Sequence, residues 1–245
     1  MSFNNNVSLF LTCLVDNMYP NVGTSMVKVL RRAGAHNINI PENQTCCGQP
    51  AYNSGYQSEA KEIAIKFLDD FKDSEYIVCP SGSCVSMIKV FYKDLFKNDD
   101  NYSDIANVIS HNTYELSDFI INILGVSNIG AMYRGKVTYH DSCHALRELG
   151  ISGQPRELLK NVDGLQLIEM DMHDACCGFG GTFSVKYPDV STAMLKEKVQ
   201  CIIDSGADTI VSTDMGCLMN IQGYISRNNI SIKVHHIAEI LAITD

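Results

Sequence analysis

The chain has 245 residues, 45% of them hydrophobic, with ten cysteines, no tryptophan and a formal net charge of −9. That charge argues against nucleic acid or an anionic membrane as a partner. No apolar run reaches 18 residues, and the N-terminal MSFNNNVSLFLTCLV lacks the basic start and cleavage site of a secretory signal, so a cytoplasmic protein without a membrane span is expected.

In chain order, the apolar run Val7–Val15 reads as a strand carrying Cys13 near its end. Asn21–Ala33 reads as a helix, stopped by Gly34. A short strand at Ile38–Ile40 leads to Cys46-Cys47-Gly48. Ser58–Phe71 is an amphipathic helix, with Ile63, Ala64, Phe67, Leu68 and Phe71 on one stripe. The strand Tyr76–Cys79 runs into Pro80-Ser81-Gly82-Ser83-Cys84, and a helix is predicted over Val85–Phe96. A polar stretch opens the connection Asn98–Gly135, which holds a predicted helix at Tyr114–Leu124. Strands follow at Lys136–His140 and Gly164–Met170, then a helix at Val190–Ser205. The strand Thr209–Ser212, the helix Cys217–Arg227, the strand Ser231–His235 and the short helix Ile237–Ile243 complete the chain. Strands alternating with helices predict an α/β fold of parallel-sheet βαβ units.

The cysteines repeat. Cys13 precedes Cys46-Cys47-Gly48 by the same 32 residues that separate Cys143 from Cys176-Cys177-Gly178, and the two copies lie 130 positions apart. Aligning Val78 with Val211 places Cys84 on Cys217 at an offset of 133. A duplicated unit predicts two pseudo-symmetric subdomains, 1–110 and 111–245, with one motif in each. Cys79 falls opposite Ser212, and Cys201 has no counterpart. Both are read as buried small hydrophobes, with a fifth-ligand role as the alternative for Cys79.

The residue types suit a metal–sulfur centre. In a reducing compartment, ten cysteines point to metal ligation, redox chemistry or catalysis rather than disulfides. Neighbouring side chains on a strand face opposite ways, so a vicinal pair needs a turn, and Gly48 and Gly178 can supply φ > 0. Cys84 and Cys217 are placed at helix N-termini, which favour thiolate. Four thiolates per site fit zinc or an iron–sulfur cluster. Ligands far apart in sequence, with a vicinal pair among them, favour iron–sulfur. The expected ligands are Cys13, Cys46, Cys47 and Cys84 in the first half, and Cys143, Cys176, Cys177 and Cys217 in the second.

The stretches CLVDNMYPNVG (13–23), QTCCGQPAYNSGY (44–56), PSGSC (80–84), CCGFGGTFSVK (176–186) and DMGCLMNI (214–221) resemble the CCG cysteine-rich domain family. That family includes the B subunit of heterodisulfide reductase and the small iron–sulfur subunits of lactate utilisation. The resemblance spans essentially the whole chain. It implies an electron-transfer subunit of a complex oxidising L-lactate to pyruvate, with a LutB-like ferredoxin-type iron–sulfur protein and a LutC-like protein as partners. The heterodisulfide reductase motif ends in CxxC. Here Ser81 and Asp214 stand where the first cysteine of that pair would be, leaving four cysteines per half, enough for two ordinary [4Fe-4S] cubanes. Catalysis on a thiol or disulfide, and a structural zinc module, remain the alternatives.

Other polar residues carry weaker signals. His140 and His144 flank Cys143 and read either as hydrogen-bonding or proton-relaying groups at the second cluster or as strand-end caps; Asp214 and His140 are also candidate oxygen or nitrogen ligands. His173 and Asp174 are read like His140. His235-His236 reads as a strand–helix junction. Gly178-Phe179-Gly180-Gly181 does not sit in a nucleotide-binding frame, and Tyr19, Tyr52 and Tyr56 default to packing.

Overall fold

The computed structural model describes residues 3–244. Two four-stranded sheets, all parallel, account for the eight strands among them. The first has the order β2-β1-β3-β4, built from β1 (Val7–Leu9), β2 (Ile38–Asn39), β3 (Tyr76–Cys79) and β4 (Thr113–Glu115). The second has the order β6-β5-β7-β8, from β5 (Met132–Tyr139), β6 (Asp163–Leu167), β7 (Thr209–Ser212) and β8 (Lys233–His236). Registers match: Val7 pairs with Tyr76 and Leu9 with Val78, as Val137 pairs with Thr209 and Tyr139 with Val211. The predicted α/β class and pseudo-symmetry are therefore observed. The central strands are apolar because helices cover both of their faces; β1 and β7 are buried along their whole length.

The halves are not separate globules. One core contains Val7, Leu9 and Val78 of the first sheet together with Val137, Tyr139 and Val211 of the second. The helices Pro20–Arg32 and Ile237–Ala242, from opposite halves, lie in that middle layer and pack on each other. Two outer cores close the remaining faces, one around Phe10, Phe67, Phe71 and Tyr92, the other around Leu195, Val199, Ile210 and Ile221. The expected division at 110/111 falls inside the helix Ser103–Asn112.

Two local predictions need correction. Val7–Val15 is a strand only to Leu9. Thr12 then caps a short helix, Cys13–Met18, its hydroxyl accepting from Val15 N–H at 3.5 Å. Within Tyr114–Leu124, the first residues are the edge strand β4, and the helical part starts at Leu116, where Glu115 accepts from the N–H groups of Ser117 and Asp118. A capping side chain ends the strand and starts the helix in both places. The helices Ser103–Asn112 and Gly153–Lys160 were not predicted.

Candidate metal centre

Four of the predicted cysteines sit in the first turn of a helix that follows a strand, and the two vicinal pairs sit in loops. Cys13 opens the helix after β1, and Cys143 opens the helix Cys143–Arg147 after β5. Cys84 lies in the first turn of Gly82–Ser86, and Cys217 in the first turn of Met215–Arg227. The vicinal pairs precede Gly48 and Gly178, whose φ values of 86° and 78° are the left-handed turns the spacing requires. Sites outside the carboxyl ends of parallel strands are the rule for such sheets.

Here the two carboxyl ends meet. Ser81 and Asp214, 133 residues apart, form an antiparallel bridge between the loops that follow β3 and β7. The Asp214 carboxylate accepts from Ser81 Oγ at 3.1 Å and from Ser83 N–H at 2.9 Å. Both residues are also helix caps: Ser81 Oγ accepts from Cys84 N–H at 3.2 Å, and Asp214 Oδ1 from Gly216 N–H at 3.1 Å. Ser81 and Asp214 thus cap the two helices and bridge the halves. Gly82 allows the close contact, since a Cβ there would stand 2.5 Å from Ala145 Cβ.

As a result all eight predicted cysteines line one cleft of about 190 Å³. Cys47, Cys84, Cys177 and Cys217 are its buried floor; Cys13, Cys46, Cys143 and Cys176 are half-buried. Cys13 Sγ donates to Cys46 Sγ across 3.8 Å. Hydrogen bonds from Cys13 and Cys47 push the Cys46 thiol down to about 3, and the matching bonds from Cys143 and Cys177 push Cys176 down to about 2. Cys84 falls to about 5, chiefly through hydrogen bonds from Cys47 and Cys79. The donors are raised correspondingly, Cys13 by its bond to Cys46 and Cys143 by its bond to Cys176. Cys217 departs from this pattern: a hydrogen bond from Cys177 lowers it, but burial and the Asp214 charge leave it raised. Thiols lowered by neighbouring thiols, four of the eight on a buried floor, are a donor set suited to a metal–sulfur group.

The surrounding residues separate into distinct roles. Cys79 is fully buried and beside Cys84, its thiol pointing to Ser81 O at 3.7 Å. Cys201 is half-buried against the outer core of the second half and does not line the cleft. His144 lines the cleft and bonds Glu148 at 2.6 Å. His173 bonds Asp141 at 2.7 Å, and Asp141 is also gripped by both terminal nitrogens of Arg156 at 2.8 and 2.7 Å. His236 caps the helix Ile237–Ala242 and reaches Pro80 O at 3.0 Å, which is the predicted strand–helix junction.

His140 differs from all of these. It is fully buried, neither ring nitrogen has a hydrogen-bond partner, and burial pushes its pKa down to about 4. One ring nitrogen and the sulfurs of Cys177 and Cys217 lie within 4.8 Å of one another. The strand-end cap expected as one alternative for His140 is not formed. Sequence spacing could not single out His140, because its first-half counterpart is Phe10.

Comparison with known proteins finds the duplicated motif as two family matches. The cysteine-rich domain model named CCG matches twice, at residues 7–89 and 137–222. Lactate utilization protein A of Bacillus subtilis (strain 168) is 49% identical over 235 residues, 96% of this chain and 98% of that protein. The protein of the same name from Oceanobacillus iheyensis is 46% identical, over 96% of each chain. Among solved structures, a putative Asp/Glu racemase from Yersinia pestis aligns over 97% of this chain and 96% of its own, at a TM-score of 0.40 and 12% identity, a likeness too loose to bear on function. With two cysteine-rich domain matches, a cleft built by both and near-complete alignment to these relatives, the chain belongs to the CCG cysteine-rich domain family, alongside the lactate utilization A proteins.

Proposed function

We propose that this chain is the iron–sulfur electron-transfer subunit of an L-lactate-oxidising system, with one [4Fe-4S] cluster in each half. The observation that carries the reading is the convergence of eight cysteines from both halves on one cleft. The role in lactate utilisation is taken from the relatives' names. The bound groups would supply one-electron transfer. Cys13, Cys46, Cys47 and Cys84 would hold the first, and Cys143, Cys176, Cys177 and Cys217 the second.

The protein's own residues prepare the cleft. Gly178 N–H approaches Cys176 Sγ at 3.4 Å, a backbone donor to a thiolate. Tyr92 Oη donates to Cys47 O and Asn220 Nδ2 to Cys177 O, each at 2.9 Å, so both vicinal turns are pinned from behind. A ferredoxin-type iron–sulfur protein and a third small protein are the proposed partners in electron delivery. No helix among the described residues is long and apolar enough to cross a membrane.

The test is iron and acid-labile sulfide analysis of protein purified without air. Iron and sulfide in equal amounts, divided between the halves, are expected; zinc without sulfide refutes the reading. Deletion of the gene should abolish growth on L-lactate while sparing growth on glucose, and unimpaired growth on L-lactate refutes the physiological part.

A further inference from the structure

We infer that His140 is a nitrogen ligand of the second centre, alongside Cys177 and Cys217, so that the two halves carry chemically different centres. The inference rests on the proposed presence of a metal–sulfur group. It deepens that reading by naming a donor outside the repeated cysteines.

The first support is an orphaned imidazole. A buried ring with two unpartnered nitrogens is uncommon, because each polar group taken out of water needs a partner. The molecule contains its own control. His236 is equally buried, and both of its nitrogens are used, one toward Pro80 O at 3.0 Å and one accepting from Ala238 N–H at 3.1 Å. His140 has no such partners.

The second support is placement. One His140 ring nitrogen, Cys177 Sγ and Cys217 Sγ lie within 4.8 Å of one another, the only such trio of metal-ligating groups among the described residues. The backbone anchors the histidine: its N–H donates to Val211 O at 2.9 Å, and Ser212 Oγ donates to its carbonyl at 2.9 Å. With His140, the second half offers five donors, four thiols and one imidazole.

The third support is the first half. Phe10 holds the equivalent position and makes the equivalent backbone bond, its N–H to Val78 O at 3.0 Å. The fold therefore does not need a histidine at the end of this strand. A four-iron group takes four terminal donors, so the imidazole stands in place of one of the other two thiolates, and replacing sulfur with a nitrogen donor raises the potential of an iron–sulfur centre. The second centre is accordingly reduced at the higher potential.

The experiment uses the full chain, reconstituted without air with ferrous iron and sulfide and reduced with dithionite. Pulsed EPR should show coupling to a directly bound imidazole nitrogen, and the coupling should change when the protein carries 15N-histidine. His140→Phe, which installs the first half's residue, should remove the coupling, as should His140→Cys, and both should lower the higher of the two potentials. Loaded wild-type protein without nitrogen coupling overturns the inference and leaves the iron–sulfur reading standing. Failure of both halves to take up iron and sulfide overturns both. The wild-type measurement decides the matter even if a variant misfolds.

Discussion

The two halves use the same strand order, register and four cysteines, yet differ around the cysteines. Beyond β1 the first half places Phe10 and Leu11; beyond β5 the second places His140 and Asp141. Cys79 ends β3 where Ser212 ends β7, and Glu115 caps the helix after β4 where His236 caps the helix after β8. Thr12, just before Cys13, has φ 61°, in the left-handed region, whereas Ser142 before Cys143 is ordinary extended chain at φ −67°. What repeats is what builds the cleft. What differs is the set of buried polar groups behind it, and those set the chemistry and pH response of each side.

The largest effect is expected from removing one floor thiol at a time. Cys47→Ser and Cys177→Ser should each lower bound iron and sulfide by about half, with the spectrum of the other centre retained. Loss of both centres from either change would show that the halves load as one unit. Next is the buried ion pair present only in the second half. Asp141→Asn removes the buried partner of the Arg156 guanidinium, which keeps its partly exposed pair with Glu169, and should cost about 2 kcal/mol in urea unfolding. An unchanged midpoint would remove that difference between the halves.

The two helix caps should respond oppositely to pH. Burial raises the Glu115 carboxyl from 4.5 to about 7. The folded state therefore keeps a proton that the unfolded chain releases, so stability from this group falls as pH rises from 4.5 to 7. The loss, about 3 kcal/mol, persists above pH 7. Glu115→Gln should flatten that slope and raise stability at pH 7, measured by denaturant titration across the range. His236 is lowered by burial, so it stays neutral when folded and costs stability as pH falls below 6.5. Matching slopes for the two caps would contradict the assignment.

The smallest effects belong to the turns. Gly48→Ala and Gly178→Ala both force a side chain into left-handed backbone, costing about 1 kcal/mol. The second should cost more, since its Cβ would stand 2.7 Å from Ser191 O, against 3.2 Å from Ala60 O for the first. Melting temperatures of the two variants order them directly.

Local chemistry made much of this legible from the chain. The strands Tyr76–Cys79 and Thr209–Ser212 were read to the residue, because buried parallel strands are continuous apolar runs. The left-handed turns at Gly48 and Gly178 followed from the vicinal cysteines. The helix at Cys13 was missed, because its start depends on one threonine hydroxyl inside an apolar run. The edge strand Thr113–Glu115 was hidden inside a helical pattern, since its strand character comes from pairing with β3.

The sequence by itself determined that there are two copies of one α/β unit and which eight cysteines recur, because both are matters of spacing along the chain. Only the tertiary structure decided that the eight share a single cleft, that Ser81 and Asp214 join across the halves, and that His140 is buried without a partner. Those facts depend on contacts between residues from distant parts of the chain, and no local pattern encodes which side chains meet there.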